Sequence, residues 1–188
     1  MTTLNEYIAH YDNHYSREGE SGSGQLVWKP QYEMWLKAGY KPSMSVLDYG
    51  CGVGIMLEAG IKHYLGVDIS ENAIKLARKR YPKAKFEVFT PGELNTPIRD
   101  IVVAQSVFTH TPKKFVPICL DEIKRHFTKF AIIDVLIGRD DAADKHVRYF
   151  RVNEWQRYLQ QAGLIGKRLG EIDFVGFKHV YYKVEHDY

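Results

Sequence analysis

Two cysteines, Cys51 and Cys119, among 188 residues are too few for a disulfide framework, and their spacing is not that of a zinc site. We expect no bound metal, and the scarcity of thiols fits a reducing, cytoplasmic compartment. No apolar run approaches the roughly 20 residues that cross a bilayer. Met1 to Asn13 is polar and aromatic where a secretion signal needs an apolar stretch. Neither a membrane protein nor a secreted one is expected. Charge of one sign is scarce too. The net charge is +3, without the clustered basic excess of a dedicated nucleic-acid binder. The chain has no internal repeat and is too short for two large domains. What remains is 45% hydrophobic and 26% charged, a composition for one domain that buries roughly 70% of its unfolded surface without staples.

An irregular opening, rich in Tyr and then in Gly and Ser, precedes an alternation of short apolar runs with amphipathic patterns. That alternation defines an α/β chain with a parallel sheet covered by helices. Strands are expected at Ser45–Tyr49, Tyr64–Asp68, Lys85–Phe89, Ile101–Gln105 and Phe130–Ile137. Ser70 is expected to cap a helix over Glu71–Arg80, and Thr111-Pro112 to open one reaching about His126. Asn153 is expected to cap Glu154–Ala162, with Gly163 as its stop. Leu164–Leu169 and Phe174–Val184 follow with too few residues between them for a crossover helix, so they pair as an antiparallel hairpin. Arg17–Gly24 and Gly138–Arg148 remain as loops of the length that usually serves a function.

Directly after the first strand the chain reads Val46-Leu47-Asp48-Tyr49-Gly50-Cys51-Gly52-Val53-Gly54. A strand that ends in clustered glycines brings bare backbone close to a ligand. The second strand ends in Gly66-Val67-Asp68, an acid placed as nucleotide sites place the carboxylate that binds ribose hydroxyls. Asp48 decides between ribose-bearing ligands, because a carboxylate at the turn repels a pyrophosphate and attracts an ammonium or sulfonium. S-adenosylmethionine fits that preference better than a nicotinamide dinucleotide, and Gly-x-Gly-x-Gly spacing agrees.

Val46–Gly54, Gly66–Ser70 and Asp100–His110 together resemble the class I S-adenosylmethionine-dependent methyltransferases, from about Met44 to the C-terminus. The resemblance implies a Rossmann-like three-layer sandwich with a mostly parallel seven-stranded sheet and a C-terminal antiparallel hairpin. It divides the chain into an N-terminal lid and substrate segment, 1–43, and a methyltransferase core, 44–188. By this resemblance the turn of Asp48, Tyr49, Gly50, Cys51, Gly52 and Gly54 would cradle the methionine and ribose of the cofactor. Asp68 would bind the ribose hydroxyls, Ile69 would pack on adenine, and Gln105 and Ser106 would line the cofactor. Many relatives carry an acid after the third strand for the adenine amino group, and here Thr90 stands in its place. Ser21-Gly22-Ser23-Gly24-Gln25 resembles the flexible lid of small bacterial and phage methyltransferases.

Methyl transfer to a hydroxyl gains from a base near neutrality. His110, beyond the fourth strand, and His146, in the loop after the fifth, are the two candidates. Asp134 sits inside the apolar run Ala131–Ile137, where a carboxylate needs a partner or a site. Tyr11, Tyr15 and Trp28 from the lid, with Arg148 and Tyr149 from the charged loop, are expected to contact the acceptor. Asp/Asn-Pro-Pro-Tyr is missing, which argues against amino-methylation of DNA bases, and so is the Pro-Cys pair of cytosine-carbon enzymes. The expectation is O-methylation of a small polar metabolite or sugar. The alternatives are a non-catalytic cofactor-binding module that assists a partner, or an RNA or protein methyltransferase.

Overall fold

A computed structural model describes residues 3–18, 28–138, 147–174 and 176–187. The N-terminal lid loop, Ser21–Gln25, and His146 lie outside the described residues.

One sheet organises the fold, with strands β1 (Val46–Tyr49), β2 (Tyr64–Asp68), β3 (Lys85–Val88), β4 (Arg99–Ala104), β5 (Phe127–Ile137), β6 (Tyr149–Phe150), β7 (Leu164–Phe174) and β8 (Phe177–His186). Its seven-strand path runs β3-β2-β1-β4-β5-β8-β7. The first five strands of that path are parallel, and β8 enters antiparallel between β5 and β7. The two-residue β6 adds an eighth strand, pairing parallel with Leu136 and Ile137. Near-continuous burial along β1, β2 and the middle of β5 is what helices on both faces require.

Period-two alternation divides the core. Leu47, Leu65, Val102 and Ile133 face helices α4 (Val116–Arg125) and α5 (Val152–Gln161) through Leu120, Ile123 and Trp155. Val46, Ile101, Val103 and Ile132 face the other way, toward α2 (Trp28–Ala38) and α3 (Glu71–Arg80) through Trp35, Ile74 and Ala77. Trp35 and Trp155 are fully buried, one in each layer, and each such side chain contributes on the order of 2–3 kcal/mol of transfer free energy.

Local chemistry explains most boundaries. Ser70 Oγ accepts the Ala73 amide at 3.1 Å and caps α3 as expected. Gly163, with φ 66°, ends α5 in the left-handed conformation. Three expectations need correction. Asn153 is exposed inside α5 and caps nothing; the helix starts at Val152, because the Glu154 carboxylate folds back 3.1 Å onto the Arg151 amide. Gly170–Asp173 is strand and not a connection, since β7 is an edge strand whose outer residues need no apolar alternation. The opening is helical: α1 (Leu4–Glu18) begins with a reciprocal box in which Thr3 Oγ1 accepts the Glu6 amide at 3.2 Å and Glu6 accepts the Thr3 amide at 2.6 Å. The helix expected from Thr111 opens as a 3-10 turn, Lys113–Phe115, that passes into α4.

Candidate functional site

The parallel strands end together along one edge of the sheet, where ligands bind in open α/β folds. A cavity of about 560 Å³ lies there, within the range of small-molecule pockets. Its floor comes from the β1 turn. Gly50, Gly52 and Gly54 take φ values of 76°, 52° and 78°, which side chains adopt only with strain. A Cβ on Gly50 would lie 2.5 Å from Val107 Cγ2, so the glycine lets the β1 and β4 turns touch. Asp48, Tyr49, Gly50, Cys51 and Gly52 line the cavity. Gly54 does not; a Cβ there would lie 2.8 Å from the Phe86 ring, so its absence makes room for that side chain.

Asp68 is buried at the end of β2, with one carboxylate oxygen accepting the Gly52 amide at 2.8 Å and the other the Ser70 amide at 2.9 Å. Each oxygen keeps a lone pair, so the carboxylate braces the glycine turn and still offers two acceptors to hydroxyls in the cavity. Burial raises its pKa, against the pull of those amides. Asp48 is buried beside it, accepting the Tyr64 hydroxyl at 2.6 Å, and burial pushes its pKa up to about 7.

That shift has a measurable consequence. The folded protein holds a proton on Asp48 up to about pH 7, whereas an unfolded aspartate releases it near pH 4. The apo protein therefore loses up to about 4 kcal/mol of this group's contribution as pH rises from 4 through 7. Asp48→Asn is expected to remove that slope in urea unfolding at pH 5 and pH 8, and equal slopes in the two proteins would refute the assignment. A cation seated beside Asp48 works in the opposite direction, so its affinity in the wild type grows over the same window.

Gln105 and Ser106 follow β4. Both amide atoms of Gln105 are buried without a hydrogen bond, and the side chain lines the cavity, an arrangement that native proteins keep where a ligand completes it. Ser106 has φ 57° and is the one non-glycine residue with positive φ among the described residues. Its amide is held 2.6 Å from Asp134 Oδ1. Ile69 lines the cavity together with Phe89 and Pro91. Thr90 lies between those two and is not in the wall; its carbonyl accepts the Glu93 amide at 2.9 Å.

Helix α1 roofs the cavity. Tyr7, Tyr11 and Tyr15 face inward, and Asp12 fixes the helix by accepting the Ser70 hydroxyl and the Asn72 amide, each at 2.9 Å. Burial, and then Asp68, raise the pKa of Tyr15. Trp28 closes a second side, and His110 lines the wall 5.8 Å from the Tyr11 ring. Arg148 and Tyr149 are not in the cavity wall. The Arg148 amide instead ties to the Thr109 carbonyl at 2.7 Å, and Tyr149 belongs to β6. Asp134 is fully buried behind the wall, between Ser106 and His179. His179 and Gln31 line the cavity and escaped the sequence reading. They arrive on β8 and α2, elements whose approach to the site is set by tertiary structure alone.

The cavity fits a ribose-bearing cation: a carboxylate with free acceptor sites at β2, a second carboxylate at β1, bare glycine backbone between them and apolar walls at Ile69 and Phe89. Residues 46–129 match the family model of a methyltransferase domain. The ribosomal protein L11 methyltransferase of Paraburkholderia phytofirmans is 30% identical over 141 residues, 71% of this chain and 46% of that protein. That of Burkholderia cenocepacia matches to the same extent. The chain thus spans about half the length of the curated relatives it matches. Among solved structures, magnesium protoporphyrin IX methyltransferase from Synechocystis with bound S-adenosylhomocysteine superposes with a TM-score of 0.75 at 14% identity, over 94% of this chain and 98% of that one. A TehB-like S-adenosylmethionine-dependent methyltransferase from Corynebacterium glutamicum gives 0.70 at 18% identity, over 95% and 98%. The fold is that of a Rossmann-like α/β domain with a cavity at the C-terminal ends of its parallel strands. Over residues 46–129 the chain is similar to methyltransferase domains, and the solved structures that share its fold include one with bound S-adenosylhomocysteine and one with bound S-adenosylmethionine. No described helix is long and apolar enough to cross a membrane, and no cluster of metal-ligating side chains occurs among the described residues.

Proposed function

We propose that the protein transfers the methyl group of S-adenosylmethionine to an oxygen of a small polar acceptor. The observation that carries this reading is the roof: α1, latched by Asp12 onto Ser70 and Asn72, covers the strand ends with tyrosines. A macromolecular acceptor needs an open approach, whereas a roofed cavity of about 560 Å³, shared with a nucleoside cofactor, leaves room for a small molecule.

The cofactor supplies a methyl group activated by a sulfonium. In this reading Asp68 accepts the ribose hydroxyls, Asp48 faces the cationic end, and Gly50 and Gly52 let the backbone approach. Ile69 and Phe89 sandwich the base, with backbone groups around Thr90 and Pro91 taking the place of the family's acidic side chain. Gln105 fixes a polar group of the acceptor, and the tyrosines of α1 exclude water, so the chain's contribution is alignment and desolvation.

A protein acceptor is the second reading, favoured by relatives named for methylating ribosomal protein L11. Incubation of the pure protein with methyl-labelled cofactor distinguishes the two. Label is expected in members of a panel of small phenols, alcohols and sugars, and not in ribosomal protein. Label in protein alone would overturn the small-acceptor reading, and label in any acceptor defeats the non-catalytic module.

A further inference from the structure

We propose that His179 is the general base of this transfer, held by Asp134, and that the acceptor therefore carries a proton on its attacking atom. The inference rests on the methyl-transfer reading above and adds to it a residue and an acceptor class.

Asp134 lies toward the C-terminal end of β5, one residue beyond the partner of Ala104 at the end of β4, and is fully buried among Ile132, Ile133 and Val135. A carboxylate there is costly unless both oxygens are engaged. One is 2.6 Å from the Ser106 amide, at the strained turn after β4, and the other is 2.5 Å from His179 Nδ1. The carboxylate thus joins the two strand ends that face the acceptor half of the cavity. Strand register explains the meeting: β8 runs antiparallel to β5, Tyr181 pairs with Asp134 and His179 with Leu136. His179 and Asp134 are diagonal neighbours on one face, within reach of long side chains. That face also carries Asp48 and Gln105, by strand parity with Val46 and Val103.

The His179 side chain is 6% exposed and lines the cavity. With Nδ1 directed at the carboxylate, the hydrogen bond selects the tautomer whose basic lone pair is on Nε2. Position along the sheet separates its role from that of the cofactor ligands. In the order β2-β1-β4-β5-β8, β8 is three strands from β1, roughly 14 Å away. His179 is therefore at the end opposite Asp68, and the unsatisfied Gln105 amide is between them.

The step balances. A lone pair of the acceptor oxygen forms the O–C bond to the methyl group while the C–S bond breaks and its electron pair stays on sulfur. The acceptor's proton passes to His179, and the resulting imidazolium faces the Asp134 carboxylate. A carboxylate acceptor has no proton to lose and gains nothing from this pair.

The test uses the full chain with S-adenosylmethionine and a series of phenols of decreasing acidity, from 4-nitrophenol to phenol, with benzoate as the acceptor that lacks a proton. His179→Gln is expected to lower transfer to phenol by about 100-fold or more and to spare 4-nitrophenol, which is already largely ionised at pH 8. Asp134→Asn falls in between. Calorimetric affinity for S-adenosylhomocysteine stays within about threefold, and imidazole restores activity to His179→Ala. Independently of turnover, a low-field Nδ1 proton resonance should be present in the wild type and missing in His179→Gln and Asp134→Asn. Equal losses along the acidity series, no loss at all, or transfer confined to benzoate would overturn the proposal while leaving methyl transfer standing. Wild type that labels no small acceptor sinks the small-acceptor reading and this proposal with it. Should His179→Gln lose cofactor affinity, the imidazole rescue decides, and its failure counts against the base.

Discussion

Asp68→Ala is expected to weaken S-adenosylhomocysteine binding by about 100- to 1,000-fold. Two hydroxyl donors to an ionised carboxylate contribute together roughly 3–4 kcal/mol, at about 1.4 kcal/mol per decade of affinity. The same substitution strips the Gly52 and Ser70 amides of their acceptor, so the glycine turn loses its brace as well as its ligand. Asp68→Asn separates the two effects: its amide oxygen still accepts a backbone N–H, and the affinity should fall between wild type and alanine. Isothermal titration at constant pH is the measurement. A loss below about fivefold in Asp68→Ala would remove this carboxylate from the cofactor site and reduce it to the turn-bracing residue that its backbone bonds already describe.

Glu122→Ala should bring the largest loss of stability, about 3–5 kcal/mol, because truncating one member of a buried hydrogen-bonded network leaves its donors unpaired. Glu122 is fully buried on α4, an exception among glutamates. It accepts the Tyr49 hydroxyl at 2.8 Å, the Gly92 amide at 2.6 Å and the Leu94 amide at 2.9 Å. One carboxylate thus joins β1, α4 and the loop after β3, the loop that brings Phe89 and Pro91 to the cavity wall. For a chain of this size the melting temperature should drop by about 10 °C or more, with weaker cofactor binding in the fraction that remains folded. Glu122→Gln keeps an acceptor and should recover part of the loss. A melting temperature unchanged in Glu122→Ala would mean that the loop is held by other contacts.

Much of the scaffold was legible because its signals are local. Tyr64–Asp68 and Glu71–Arg80 begin and end where the run of apolar residues, the Ser70 cap and Pro82 say they should. The opening was misread for a physical reason. Tyr7, His10, Tyr11, His14 and Tyr15 repeat at three- and four-residue steps, the stripe of an amphipathic helix, yet tyrosine and histidine score as polar and hide it. The Thr3–Glu6 box was there to be found. Asn153 failed as a cap because a capping side chain competes with its neighbours, and Glu154 satisfied the Arg151 amide one turn earlier in the register.

The site divides along the same line. Asp48, the glycine turn and Asp68 are close in sequence and follow two adjacent parallel strands, so spacing alone was enough to group them. His179 was invisible to such reasoning. It stands 45 residues from Asp134, and only the antiparallel insertion of β8 beside β5 brings the two together. Asp134 itself was flagged from its apolar surroundings as a carboxylate that needs a partner or a site; the structure puts it behind the wall, between Ser106 and His179.

By itself, the sequence determined the α/β scaffold and the end of the cavity built by Asp48, the glycine turn and Asp68, since strand, turn, acid and cap are short-range and each residue type carries its own physical constraint. The tertiary structure decided the opposite end. Which helix roofs it, which histidine meets which carboxylate and which buried amide is left unsatisfied all depend on pairings between distant segments, and no local propensity encodes those.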